Sequence, residues 1–389
     1  MQTLDQRYRS DSNAMALMRV SAALGVLLAH CWPLGFGEGS PGNRLSRGQT
    51  DLGSLSLDVL FIVSGFLNSD SALRGSSPRF LWKRFLRLFP GFWVCLLVTA
   101  FVIAPIVAWK ENGSLAGFWS HSDGPFDYVI VNWFMSMNQF TIAGLLSTTP
   151  FGQLTGGPSA FNGSLWTLRY ELGCFVLLAV LLGSGALRRA RWIVPAMVAI
   201  AFTLIAADAV RASSWTIRPP DRGALGPILV FGTFEARWVL YLGFLFLLGS
   251  TARLYSSRVP IDTRLALVAA AIAIVTFRFG GWLLLGLPSY AYLVIFAGVT
   301  LPSRLHRIGR TNDYTYGIYI YAFPIQQTAA LFGAADHGKL LYIVVTVLLT
   351  GALAILSWHL VERPAMGWRH AFDASSRRQV AGVGGESGG

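Results

Sequence analysis

The sequence predicts an all-α fold, a polytopic integral membrane bundle of about ten transmembrane helices with both termini cytoplasmic. Three observations predict it. The 389 residues are 53% hydrophobic and only 13% charged, against about 25% charged in a soluble domain, and the mean hydropathy is positive. Apolar segments able to cross roughly 30 Å of hydrocarbon at about 1.5 Å per residue recur along the whole chain. The cations are distributed unevenly: with a cytoplasmic N-terminus, 20 of the 31 Lys and Arg fall in cytoplasmic segments, 8 in external ones, and Arg19, Arg169 and Arg237 inside spans. That is the positive-inside bias. The net charge of +12 and a pI of about 10.1 therefore report orientation in a membrane and give no support to nucleic-acid binding.

An arm, residues 1–13, precedes the first span at 14–33. That span carries Arg19 and lacks small residues at a cleavage site after His30, so it is expected to stay attached as the first helix. Spans two and three, 52–68 and 88–109, flank a basic link at 68–87. An external stretch, 110–163, contains DYVIVNWFMSMNQF at 127–140, amphipathic enough to lie in the interface as a partial helix. Spans four and five, 164–182 and 192–210, flank the basic 183–191, and a second external stretch rich in Pro and Arg covers 211–234. Spans six to ten follow at 235–251, 264–279, 281–301, 313–332 and 340–360, with further basic links at 251–263 and 302–312. The membrane domain closes at 364. The tail, 365–389, is Gly and Ser rich without apolar periodicity and reads as a disordered cytoplasmic segment.

No tandem repeat and no second soluble domain is evident, and no G-x-x-x-x-G-K loop is present. Chemistry must then reside inside the bundle or at its faces, which leaves secondary transport, acyl or glycosyl transfer, or a structural role. Cys31, Cys95 and Cys174 show no metal or redox spacing and read as packing residues.

Ionisable residues inside spans are costly and usually functional. Arg19 and His30 are eleven residues apart, about 20° from one helix face and about 16 Å apart in rise. They face one groove at two depths, unless Arg19 merely snorkels to the surface and His30 ends the helix. Asp58 sits among apolar residues of the second span, either as a helix-start carboxylate or as a functional acid. Ser64, Gly65, Phe66 and Leu67 follow it, and the small Ser64–Gly65 pair suits close helix packing. Arg84 and Arg87 share a presumed helix face, where they serve orientation and lipid phosphates or form a phosphate site through bidentate guanidinium contacts. Glu171, which opens the fourth span with Trp166 and Arg169, is neutralised by Arg169 as a buried pair or holds a polar partner. Tyr314, Tyr316, Tyr319 and Tyr321 read as an aromatic belt.

Taken together, R-x10-H at 19–30, LDVLFIVSGFL at 57–67, RFLRLFP at 84–90, NGSLWTLRYE at 162–171, YGIYIYAFP at 316–324 and VERP at 361–364 resemble membrane acyltransferase family 3. The match runs in order over residues 19–364. The resemblance implies a ten-helix enzyme that moves an acyl group, usually acetyl, from cytosolic acyl-CoA to a hydroxyl of a carbohydrate or other acceptor. Acyl-CoA is then a co-substrate, and no bound cofactor or metal is expected. Arg19 and His30 match the family's essential Arg and His, Ser64 to Leu67 its SGFL segment, Arg84 and Arg87 its R-x-x-R pair, and Glu171 the acid after W-[ST]-L. Ala322 stands where many members carry a histidine, which leaves His30 as the candidate base. The extracytoplasmic SGNH domain that some members carry has no counterpart here.

On this reading the charged nucleotide stays at Arg19, Arg84 and Arg87 while the pantetheine arm threads toward His30. His30 acts as general base on the acceptor hydroxyl, with Glu171 or Asp58 orienting its ring. Candidate acceptors are exopolysaccharide, lipopolysaccharide or another cell-envelope glycan, or a small molecule such as a macrolide, at a bacterial inner membrane. The rival is a proton-coupled transporter or flippase, in which Arg, His and Glu form a relay, although no paired Gly/Pro-broken helices are seen. A structural protein leaves Arg19, His30 and Glu171 unexplained. Two N-G-S tripeptides, at Asn112 and Asn162, matter only in a glycosylating secretory pathway.

Overall fold

The computed structural model describes residues 2–228 and 231–370. Each of the ten expected segments is a helix: α1 Met15–Phe36, α2 Leu52–Leu73, α3 Ser77–Asn112, α4 Leu165–Gly183, α5 Ile193–Arg211, α6 Ala236–Leu254, α7 Thr263–Phe279, α8 Trp282–Thr300, α9 Thr315–Leu331 and α10 Lys339–Gly367. Seven of them are long and apolar enough to cross a membrane; α6, α7 and α9, of 19, 17 and 17 residues, complete the bundle.

Local chemistry sets the ends. The Asp51 side chain accepts from Ser54 N at the start of α2, and Asp262 accepts from Arg264 N and Leu265 N at the start of α7, satisfying amides that a helix start leaves without partners. Gly37, at φ +64°, closes α1 in the left-handed conformation that glycine adopts without a Cβ penalty. The third helix begins eleven residues before the expected 88, because Pro78 falls in its first turn, where the missing N–H costs nothing. Arg84 and Arg87 are consequently helical residues of α3 rather than members of a link. A wide turn at Thr99–Ile103 interrupts the same helix.

The bundle centres on α2 and α4, whose apolar windows are 61% and 67% buried, with α5 and α10 outermost at 28% each. The backbones of α2 and α6 touch. A Cβ on Gly65 would collide with the Phe246 carbonyl, one on Gly249 with the Ile62 carbonyl, and Ser250 Oγ donates to both Gly65 O and Phe246 O across the seam. This small-residue packing keeps α2 fixed against α6. Leu267, Ile274, Leu340, Leu348 and Leu360 are exposed on the outer helices, as a surface solvated by lipid tails requires.

Outside the bundle, the arm is ordered. Its Gln2–Thr3 strand pairs antiparallel with Pro260–Ile261, and Leu4 is fully buried. A bulged hairpin joins Ala224–Ile228 to Gly232–Glu235. In the long loop only Pro125–Asn132 of the expected interfacial segment is helical; the side chain of Asn132 then accepts from Asn138 N and Gln139 N and donates to Gln139 O, curling the chain back. Residues 365–370, expected to be part of a disordered tail, continue as helical turns, with the Trp82 indole donating to Trp368 O. The rest of that tail, 371–389, lies outside the described residues.

Pro324 in α9 has a further consequence. A proline cannot donate to the carbonyl four residues earlier, here that of Ile320, and Asn162 Nδ2 donates to it instead at 2.7 Å. Asn162 is thus fully buried and tied to α9, which withholds it from glycosylation. Cys31, Cys95 and Cys174 are all buried free thiols.

Candidate functional site

Two cavities lie one beyond the other inside the bundle. The first, about 110 Å³, is lined by Arg19 of α1, Ser64, Leu67 and Asn68 of α2, Arg84 and Arg87 of α3, Glu171 of α4, and Tyr316 and Tyr319 of α9. The second, about 240 Å³, is lined by His30 of α1, Asp51 at the start of α2 and Asp58 within it, Ser164 just before α4 and Trp166 in its first turn, Tyr241 of α6, and residues of the 40–54 segment. Leu57, Thr167 and Tyr319 line both.

In the first cavity most of the charge is paired. Arg19 Nη1 meets Asp313 Oδ2 at 2.7 Å, and Arg87 reaches the same oxygen at 2.7 Å with Nη2 while Nη1 meets Glu362 Oε2 at 3.0 Å. Ser357 Oγ donates to the other Glu362 oxygen, so that this fully buried carboxylate is satisfied on both sides. Arg87 also lies 5.8 Å from the Tyr316 ring centroid and 5.6 Å from that of Trp358. Asp313 sits in the link before α9. Burial opposes its ionisation, but Arg19 and Arg87 prevail and hold its carboxyl well below the usual carboxylate range.

Arg84 differs from its two neighbours. Among the described residues it has no carboxylate partner and buried Nε has no partner at all; Nη2 donates to Ser71 Oγ at 3.3 Å, and the guanidinium lies 5.5 and 5.7 Å from the Phe80 and Phe175 centroids. Glu171 accepts from Ser64 Oγ at 3.0 Å, and Asn68 Nδ2 donates to Ser64 Oγ and Ser64 O. Of the small pair expected to serve packing, Gly65 does so and Ser64 instead belongs to this polar chain. Phe66 is buried against Tyr8, edge to face at 5.0 Å.

Of the two readings of Glu171, a pair with Arg169 does not form, and a polar partner, Ser64, is present. Arg169 points the other way, donating to Thr233 O and Met137 O, where it pins the hairpin and the long loop to α4. Arg237, expected inside a span, sits at the first turn of α6 and pairs with Glu235 at its entrance.

The second cavity has few charges and several unsatisfied polar atoms. His30 Nδ1, Ser40 Oγ, Thr50 Oγ1 and Ser164 Oγ are buried in its lining without partners among the described residues. Buried polar atoms are almost always hydrogen-bonded, so four orphans on one cavity mark a place for a polar ligand or water. The His30 ring packs edge to face on Phe323 at 5.4 Å, which fixes its plane. Neither acid proposed to orient it does so: both Asp58 oxygens accept from Tyr241 OH, at 2.9 and 3.1 Å, and Glu171 lies on the other cavity. Asp51 caps α2 and also pairs with Arg218 at 3.1 Å. Trp166, 4.9 Å from Trp238, walls the same cavity.

Sequence reasoning missed Asp313 and Glu362. A signal was present, because three arginines drawn to one end of a bundle require nearby carboxylates, and VERP contains one of them.

The chain matches the acyltransferase domain family known as acyltransferase 3 over residues 12–362. It is 28% identical over 361 residues to a protein of Shigella phage Sf6 named O-acetyl transferase, covering 90% of this chain and 95% of that one. It is 27% identical over 388 residues to Nodulation protein 10 of Rhizobium leguminosarum bv. viciae, covering 92% and 94%. No solved structure matches it significantly.

Proposed function

From the premise that this chain belongs to the acyltransferase 3 family, and is therefore a membrane acyltransferase, we propose that it moves an acetyl group from acetyl-CoA, bound on the side of Arg84, to a hydroxyl of a carbohydrate bound beside His30. The observation that carries this reading is the end-to-end arrangement of the two cavities, one cationic and one lined by unsatisfied polar atoms, with Leu57, Thr167 and Tyr319 shared between them. A related protein named O-acetyl transferase supports acetyl as the group moved.

The residues divide the work. Arg84, with no carboxylate partner among the described residues, meets the phosphates of the donor; Arg19 and Arg87, already partnered by Asp313 and Glu362, hold the pocket's shape and its field. The positive-inside bias supports an orientation with this cavity toward the cytosol, where acetyl-CoA is, and the His30 cavity toward the outside of a bacterial inner membrane. The charged nucleotide then stays on its own side and only the uncharged arm advances.

At the far end the His30 imidazole takes the proton of the acceptor hydroxyl as its oxygen adds to the thioester carbonyl carbon. The carbon–sulfur bond then breaks, and the departing thiolate receives that proton, leaving an acetyl ester and free CoA. A positioned base contributes typically 10² to 10⁴ in rate. Phe323 sets the ring plane, and Ser40, Thr50 and Ser164 offer hydroxyls to a hydroxyl-rich acceptor such as a cell-envelope glycan.

Transfer of label from radioactive acetyl-CoA to glycan, in membranes holding wild type or His30→Ala at matched amounts, tests the proposal. Label with wild type and its loss with the variant is the expected result. Equal labelling by both would remove His30 from the reaction, and no labelling by either, with no acetyl-CoA binding to purified protein, would remove the acetyl-transfer reading.

A further inference from the structure

The two cavities are separated by a closed contact. Thr167 Oγ1 and Tyr319 OH lie 2.5 Å apart, and Tyr319 OH also donates to Ser164 O at 3.0 Å. Both side chains are buried, and both line the arginine cavity on one side and the His30 cavity on the other. The third shared residue, Leu57, is apolar and supplies no polar contact. The Thr167–Tyr319 pair is therefore the polar contact that stands where the two cavities adjoin.

The two elements that carry the pair are held independently of it. Thr167 is fixed by Leu165–Thr167, the first turn of α4, and Tyr319 by α9, which Asn162 ties to the same turn region through Ile320 O. Opening the pair is then a side-chain event that leaves the helices in place. A phenol needs only a small rotation to exchange hydrogen-bond partners, and rotamer changes are fast compared with helix motions.

We propose that Tyr319 and Thr167 form the gate between the donor and acceptor cavities. When the acyl arm enters, the Tyr319 hydroxyl exchanges Ser164 O for the thioester carbonyl oxygen, donating a hydrogen bond where negative charge develops as the acceptor oxygen adds. No proton is transferred by Tyr319; the proton moves from acceptor to His30 to departing thiolate as above. While the pair is closed, the acceptor cavity and its water are kept from the donor cavity, so a thioester resting near Arg84 is not lost to hydrolysis. This inference rests on the acetyl-transfer reading and assigns to α9 a role beyond an aromatic belt.

The test measures both transfer to glycan and release of free acetate from radioactive acetyl-CoA, using the full chain in membranes. Removing one such donor costs about 10² to 10³ in turnover, so Tyr319→Phe is expected to lower transfer by that factor with KM for acetyl-CoA unchanged. Thr167→Val keeps the donor and loosens the closure, so acetate release without acceptor rises. Tyr319→Ala, which loses both functions, should lower transfer and raise acetate release. If Tyr319→Phe matches wild type, or if Tyr319→Phe and Thr167→Val lose transfer equally with no change in acetate release, the gate is overturned while acetyl transfer stands. A wild type that neither transfers nor hydrolyses acetyl-CoA would overturn the transfer reading and the gate with it.

Discussion

The arginine cavity and the histidine cavity differ in how they hold their charges, although each also carries buried polar atoms without partners among the described residues, Asn68 Oδ1 and Arg84 Nε on the first. In the first, Arg19 and Arg87 are neutralised by Asp313 and Glu362, and Glu171 is held by Ser64. In the second, His30, Ser40, Thr50 and Ser164 each present an unpartnered atom, and Asp58 is occupied by Tyr241. A buried charge is costly unless paired, which sets Arg84 apart as the cation of this cavity without an ion-pair partner among the described residues, whereas a hydroxyl or imidazole can wait unpaired at modest cost for a ligand. The difference teaches which groups belong to the scaffold and which to the chemistry: conspicuous charges hold the donor pocket together, and the inconspicuous orphans face the acceptor.

The largest effect that would sharpen this contrast is on Arg87. Truncating one member of a buried ion pair costs about 3–5 kcal/mol because the partner stays buried and charged. Arg87→Ala should therefore lower the thermal stability of the purified protein strongly. Stability unchanged within error would show that Glu362 and Asp313 do not need Arg87, and the scaffold half of the contrast would break.

Arg84→Ala removes the guanidinium that has no carboxylate. Hydrogen bonds to charged groups contribute about 1.5–3 kcal/mol, so acetyl-CoA affinity should fall about tenfold to a hundredfold, with stability less affected than in Arg87→Ala. An affinity loss confined to Arg87→Ala would reverse the two roles. Asn162→Ala leaves the buried Ile320 carbonyl with only the weak Cys95 thiol as donor, and losing the amide hydrogen bond costs about 0.5–1.5 kcal/mol. Thermal melting should register that loss. Melting equal to wild type would show that the Pro324 gap is filled in another way.

The smallest effect is on pH dependence. Asp313 has a depressed carboxyl pKa when folded and an ordinary one, about 3.9, when unfolded. Its contribution is thus complete above the unfolded value and is lost as pH falls below it toward the folded value. The stability advantage of wild type over Asp313→Asn should stay level from pH 7 to about 5 and shrink below about 4. An advantage that grows on acidification would contradict the pairing.

Much of this was legible in the sequence because it is local. Hydropathy and cation placement locate ten helices, and R-x10-H fixes two depths on α1, since helical periodicity depends only on spacing. What was not legible depends on which helix faces which. Arg169 and Glu171, two residues apart, point to different partners because a rotation of about 200° separates them on a helix. Asp58 is claimed by Tyr241 and Arg87 by Glu362, residues 183 and 275 positions away along the chain. The start of α3 was misplaced because RFLWKRFLR is too polar for a span, although Pro78 marks a helix start. Ser64 stands beside Gly65 in sequence like a packing residue, but the rotation of about 100° between neighbours on a helix turns it to Glu171.

The most direct test of the division between cavities is acetyl-CoA binding, by calorimetry on purified protein, to wild type, Arg84→Ala and His30→Ala, alongside transfer rates in membranes. The account predicts that Arg84→Ala weakens binding, whereas His30→Ala binds like wild type and transfers about 10² to 10⁴ times more slowly. Binding lost in His30→Ala and retained in Arg84→Ala would place the donor in the histidine cavity and contradict the account.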